Sequence, residues 1–224
     1  MKDHDLVVNA LRKLSPSIRE SSDRAWSREP ALRTIDCVLS LNRNYDRFVV
    51  PRLDSFERDR PFVRSISDLN SEIERYKSPD EFVRRALDYK HEGRADILAS
   101  VARWLLTISG NGDPAVQLSR LESWAKGAPY HSHKSVGVRG FALAGFQYLR
   151  MLFGANTTKP DIRIRQWVRA AVGHDVSPSQ ALRLLEPAAV EAGISLRDAD
   201  TTIWEMLSRE SRDLHKSNSY CTTL

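Results

Sequence analysis

Cysteine is scarce in this chain of 224 residues, with only Cys37 and Cys221 present and far apart in sequence. No C-x-x-C pair exists, which excludes a zinc ribbon and an iron–sulfur cluster held by four thiolates. Long apolar runs are missing, so no segment is expected to span a bilayer. The opening Met1-Lys2-Asp3-His4-Asp5 lacks the apolar core of a secretory signal, and a soluble, cytoplasmic protein is expected. Strand signals are lacking too: valine and isoleucine are scattered and no run alternates. Segments rich in Ala, Leu, Arg and Glu instead repeat at helical spacing, and the expectation is an all-α fold. Neither sign of charge dominates. Lys and Arg outnumber Asp and Glu by 34 to 29, a net +5. That suits a polyanionic partner and equally a solvated, arginine-rich surface.

What the chain has in abundance is helix punctuation. Apolar spacing predicts helices over Asp3 to Leu14, Pro30 to Leu41, Arg47 to Arg58 with Asp46 as cap, and Ser67 to Tyr76. Ser78-Pro79-Asp80-Glu81 is a full start signal for a helix over Phe82 to Tyr89. Gly93 is expected to separate that helix from Arg94 to Ile108, whose Ile97, Leu98, Val101, Trp104, Leu105 and Ile108 form a broad apolar face. Asp113-Pro114 starts a helix to Lys126, and a loop from Gly127 to Lys134 carries His131 and His133. Ser177-Pro178 opens a helix closed by Gly193, with Pro187 as a point of kinking. Asp198 or Asp200 is expected to begin the last helix, through Ser208. These signals divide the chain into an N-terminal extension over residues 1–29, a main domain over 30–208 and a polar tail over 209–224.

The most informative stretch runs from Ser135 to Gly173. Gly137 and Gly140 bracket Val138-Arg139, a spacing that suits a tight bend with positive φ or a close approach. From Phe141 to Phe153 apolar residues lie nearly all round, which predicts a buried helix closed by Gly154. Pro160 ends the polar loop that follows, and Asp161 stands at the first turn of the next helix, where free N–H groups and the macrodipole favour a carboxylate. By itself such an aspartate is more often a simple cap than a catalyst.

This order of elements resembles the HhH-GPD superfamily of base-excision DNA glycosylases. Val138-Arg139-Gly140-Phe141-Ala142-Leu143-Ala144 stands in place of the family hairpin pattern Leu-Pro-Gly-apolar-Gly, and it is followed by a buried helix, Pro160 and Asp161. Val38-Leu39-Ser40-Leu41-Asn42 is similar to the family helix that ends in a polar DNA-wedging residue. Gly93-Arg94-Ala95-Asp96-Ile97 is similar to the start of the helix before the hairpin. The sequence also departs from the pattern. Ala142 replaces the second hairpin glycine, Ala144 stands where the bifunctional members carry their Schiff-base lysine, and the loop Gly127–Lys134 is longer than usual. The spacing from Gly140 to Asp161 is slightly shorter than the family's.

The resemblance implies a two-lobed helix-hairpin-helix fold acting on double-stranded DNA as a monomer, with no cofactor and no metal. It implies a monofunctional N-glycosylase in which Asp161 offsets the positive charge that grows on the sugar as a damaged or mispaired base departs. Asn42 would fill the gap left by the extruded nucleotide. The backbone of Gly137, Val138, Arg139 and Gly140, with the cations of Lys134, Arg139 and Arg163, would hold phosphates. His131 and His133 are read as surface or DNA-facing groups, Tyr45 and Tyr130 as candidates for base contact, and Trp104, Trp124, Trp167 and Trp204 as core. Two other readings stay open: a non-catalytic helix-hairpin-helix DNA-binding protein, and an all-α protein-interaction domain.

Overall fold

The computed structural model describes residues 2–18 and 27–220, with side chains described as far as Ser208. Among the described residues the regular structure is helical throughout and no strand forms. The chain divides into two compact units, a terminal one joining Met1–Ser21 to Asn156–Leu224 and a central one of Ser22–Ala155. The first helix, α1 (Asp3–Leu14), belongs to the terminal unit.

The central unit is built around α2 (Pro30–Leu39), every residue of which is buried. A short π-helical segment over Tyr45–Val49 leads into α3 (Val50–Asp59), which is followed by α4 (Ile66–Glu74) and α5 (Pro79–Ala86). Then come α6 (Glu92–Ser109), α7 (Pro114–Gly127), a 3-10 helix over Tyr130–Val136 and α8 (Leu143–Leu152). Helix α2 packs against α3, α4, α6, α7 and α8. Ile35, Leu39, Leu53, Phe56, Phe82, Leu98 and Phe146 fill the space between them. The starts follow from side-chain chemistry. Ser65 and Asp68 cap each other's N–H groups at α4, Ser78 accepts from the N–H of Glu81 at α5, and Asp113 accepts from Ala115 and Val116 at α7. Each bond satisfies a donor that the first helical turn leaves free.

Several boundaries differ from the sequence expectation for identifiable reasons. Asn44, not Asp46, caps the segment before α3, its Oδ1 accepting from Arg47 N–H at 2.9 Å. Gly93 lies inside α6, in its first turn, instead of separating two helices. The expected loop around His131 and His133 is wound into the 3-10 helix. Helix α8 begins at Leu143, because Gly140 at φ 86° and an extended Ala142 hold the preceding residues outside the helix.

The terminal unit contains α1, α9 (Ile162–Val172), α10 (Pro178–Ala192) and α11 (Leu196–Tyr220). Helix α1 packs on α10 and α9, placing Val7, Val8 and Leu11 in one core with Ile164, Val168, Leu185 and Ile203. The opening segment, expected as a peripheral extension, therefore supplies core residues. The rest of that extension falls largely outside the described residues. Helix α10 begins with a Ser177–Gln180 capping box and closes on Gly193 in the left-handed region, and it runs through Pro187 without a break. Helix α11 starts before Asp198 and Asp200 and continues as backbone helix to Tyr220, past the expected end at Ser208. Among the described residues no helix is long and apolar enough to cross a membrane.

Candidate functional site

The bend before α8 is a four-residue turn, Val138 to Phe141, closed by Phe141 N–H donating to the carbonyl of Val138 at 3.1 Å. Gly140 is its third residue at φ 86°, a position that excludes side chains without strain. A Cβ on Gly140 would also stand 3.0 Å from Cδ1 of Ile97 on α6, so the turn packs closely on that side chain. The N–H groups of Gly140 and Ala142 donate no hydrogen bond among the described residues. Both residues are exposed and lie just ahead of the α8 N-terminus, a backbone arrangement that suits an anion.

Two features bring the end of α2 to this turn. Gly145 lets α8 approach closely, since a Cβ there would meet Phe141 and Leu41 at 3.0 and 3.1 Å. The Cys37 thiol donates to the Gly145 carbonyl at 3.3 Å. Beyond Leu41, Asn42 takes φ 56°, a left-handed conformation that asparagine tolerates better than most residues. Its flanking carbonyls are held: Arg94 Nη2 donates to Leu41 at 2.7 Å and Arg43 Nη1 to Asn42 at 3.3 Å. Upstream, the buried Asp36 accepts from Arg28 Nη1 at 3.1 Å, Tyr45 hydroxyl at 2.8 Å, Ser40 hydroxyl at 2.9 Å and Tyr148 hydroxyl at 3.1 Å. That network ties α2 to α8 and to the π-helical segment.

Asn42 and the Gly137–Gly140 bend consequently line one open depression of about 660 Å³, with His91, Arg94, Asp96 and Ser100 on its other walls. Arg139 is exposed at its rim. The lining mixes cations, neutral donors and the single carboxylate of Asp96. The sequence points to the Gly137–Gly140 bend and to Asn42 as two elements, and both line this depression. Sequence reasoning did not select His91 or Arg94 for the site. Arg94 stood in the segment likened to a family helix start, but its bond to a carbonyl more than fifty positions upstream leaves no local trace.

Asp161 belongs to the terminal unit. It is the N-cap of α9, its Oδ1 accepting from Arg163 N–H at 2.9 Å and Ile164 N–H at 3.2 Å. The side chain is half-buried, and Oδ2 accepts no hydrogen bond among the described residues. One oxygen is thus fixed by the helix and the other is left for a ligand or water. The buried carboxyl of Asp200 lies within electrostatic reach: its own burial first, and the Asp161 charge after it, push Asp200 up to about 7. Asp200 was read from sequence as a possible helix start, since Asp-Ala-Asp before an apolar run looks like a cap; it is instead a core carboxylate inside α11.

The remaining assignments fall elsewhere. Lys134 is exposed on the 3-10 helix and is not part of the depression. Arg163 lies in the terminal unit with its guanidinium 4.7 Å from the Trp204 ring centre. Tyr45 is engaged by Asp36 and Arg28. His133 is held by the Tyr130 carbonyl at 2.9 Å, while His131 lies on the surface at the edge of the Tyr130 ring. Trp104 and Trp124 meet edge to face beside Phe146 in the central unit, and Trp167 packs on the terminal core.

A family model described as a domain of unknown function (DUF8548) matches residues 134–208, from the end of the 3-10 helix to Ser208 in α11. The matched stretch contains the glycine bend, α8, Asp161 and Asp200. No curated protein and no solved structure matches the chain.

Proposed function

We propose that the chain is a divergent, two-lobed HhH-GPD-type protein that acts on double-stranded DNA as a monomeric, monofunctional N-glycosylase. The observation that carries this reading is the shared depression, where the polar residue at the end of α2 and the glycine bend ahead of α8 face the same space. A duplex backbone held by the N–H groups of the bend that donate no bond among the described residues would place Asn42 at the DNA, where it can fill the gap left by an extruded nucleotide. Arg139 and Lys134 add salt-dependent attraction.

Asp161 supports the chemical half of the reading. In base excision the C1′–N bond breaks with its electron pair leaving on the base, positive charge grows on the sugar, and water adds at C1′. A carboxylate with one oxygen anchored and one open offsets that charge without reorganising, and its free oxygen can take the hydrogen of the entering water. The departing base is protonated from solvent. Ala144 in place of the lysine leaves no amine at that position for a Schiff base, so hydrolysis and not a lyase step is the expected outcome.

The test is an abasic-site assay on duplexes that each carry one uracil, hypoxanthine or N7-methylguanine. Asp161→Asn is the decisive variant, because asparagine caps a helix as well as aspartate and stability should stay within about 0.5 kcal/mol. Excision is expected to fall by roughly 100-fold or more while duplex binding is kept. Excision unchanged by the substitution sinks the catalytic assignment. Salt-dependent duplex binding without any excision leaves the non-catalytic DNA-binding reading, and absence of binding at low salt leaves neither.

A further inference from the structure

The run between α8 and α9, Asn156-Thr157-Thr158-Lys159-Pro160, has no hydrophobic period to fold it. Its conformation is set by side-chain bonds to α10 and α11. Asn156 Oδ1 accepts from Arg197 N–H at 3.1 Å, and Thr157 hydroxyl donates to Glu186 Oε1 at 3.0 Å. The Thr158 hydroxyl and the Lys159 N–H, the latter at 2.8 Å, both donate to one oxygen, Oδ1 of Asp200. The chain then turns through Pro160, and Asp161 N–H donates to the Lys159 carbonyl at 2.6 Å. A carboxylate from the second turn of α11 therefore grips the two residues that lead directly into Asp161.

Aspartate is a costly residue for merely filling that space. Asp200 is 8 % exposed, and an apolar side chain would be buried there without the desolvation that its carboxylate suffers. What an apolar side chain could not do is accept from the Thr158 hydroxyl and the Lys159 N–H, both of which donate to the Asp200 carboxylate. We infer that Asp200 is the positioning residue of Asp161: it locks Thr158 and Lys159 so that Asp161 leaves the bend with Oδ1 on the α9 N–H groups and Oδ2 free. Asp200 does not touch substrate; it acts through the hydrogen bonds that hold the loop. The inference rests on the reading of Asp161 as the glycosylase carboxylate.

Three variants test it against wild type on the same lesion duplexes. Asp200→Asn keeps a carbonyl oxygen for both donors, Asp200→Ala removes it, and Thr158→Val removes one donor while leaving the core apolar. Single-turnover excision is expected to fall roughly 10- to 100-fold in Asp200→Ala, with duplex affinity within about twofold, since misplaced chemistry and not binding is what changes. Asp200→Asn should recover to within about threefold of wild type, and Thr158→Val should lie between. Amide hydrogen exchange reads the loop directly: protection at Lys159, Arg163 and Ile164 should be lost in Asp200→Ala and kept in Asp200→Asn. An unchanged excision rate in Asp200→Ala, or an Asp200→Asn rate as low as that of Ala, overturns the inference. If Asp200→Ala does not fold, Thr158→Val decides by the same two readouts. If wild type excises nothing, the glycosylase reading fails and exchange alone decides the loop clamp; unchanged protection in the variants then overturns it.

Discussion

Asn42 combines the backbone role seen in the fold with the side-chain role proposed for it at DNA, and a mutation must separate the two. Its φ of 56° costs a non-glycine residue other than asparagine about 1 kcal/mol, because Cβ crowds the carbonyl in the left-handed region. Asn42 is exposed and lines the depression. Asn42→Ala should therefore destabilise the central unit by about 1 kcal/mol and, on the proposed function, also weaken duplex distortion. Asn42→Gly should keep the stability and lose only the second property. Thermal unfolding beside a fluorescent base-analogue assay of nucleotide extrusion distinguishes the two, and equal behaviour of the variants in extrusion but not in stability is the expected pattern. If Asn42→Gly extrudes as wild type does, Asn42 is a helix stop and nothing more.

The glycines and caps around the site were legible at this scale. Gly140 is dictated by the third position of its turn, and Asp161 by the free N–H groups of α9. Asp200 was not legible, because an aspartate ahead of an apolar run carries the same signature whether it caps a helix or lies one turn inside it. Only its bonds to Thr158 and Lys159, some forty positions upstream, tell the two apart.

At the scale of elements, α2 organises the central unit and Asp36 anchors α2. The Arg28 and Asp36 side chains are 3 % and 0 % exposed, so each charge depends on the other and on the hydroxyls around Asp36. Among the described residues, removing the carboxylate leaves the buried guanidinium with the partly exposed Asp54 as its remaining acidic partner. Asp36→Ala is expected to cost about 3–5 kcal/mol, measured by urea unfolding. A loss under about 1 kcal/mol would show that water or rearranged side chains replace the network. The apolar stripe of this helix was plain in the sequence, but a stripe cannot reveal that its polar residues are buried as well. That follows from α2 having helices on every side.

The same limit explains the boundaries that shifted. Gly93 in the first turn of α6 and the 3-10 winding of Tyr130–Val136 both contradict local composition. Near the helix start Gly93 does not have to fill an interior position, where its backbone entropy would be most damaging. The 3-10 winding is supported by the local His133 contact with the Tyr130 carbonyl and by burial of Val136, and the second of these no window of sequence contains.

Across the whole molecule, the terminal unit joins the first helix to the last three, and its stability should depend on pH in one direction. Asp200 ionises at about 7 when folded, well above the ordinary carboxylate value of about 3.9. Between those values the folded unit holds a proton that the unfolded chain has released. Stability is therefore full below about pH 4, falls as pH rises to about 7 and is level beyond. His174 on the loop after α9 is also raised, by its bond to the Asp175 carbonyl and by Asp3 of α1, so its contribution is present below its unfolded value and is lost as pH rises through its folded one. Both act in the same sense. Melting temperature against pH should decline from acid to neutral for wild type, and Asp200→Asn should flatten the acidic part and leave the His174 part. A wild-type curve that rises from pH 5 to 7 with no difference in the variant would place Asp200 in a solvated setting.

The sequence by itself determined that this protein is helical, where most helices start, which stripes are apolar and where the chain must bend. Those outcomes follow from forces between residues a few positions apart: hydrophobic period, cap chemistry and the φ that only glycine accepts. Tertiary structure alone decided that α1 closes the unit made by α9 to α11, that Asn42 shares its depression with Gly140, and that Asp200 holds the loop leading to Asp161. These depend on which apolar faces find each other and on which buried donors are left to satisfy. Burial free energy is non-directional, so a stripe states that a face will be covered and leaves open by what.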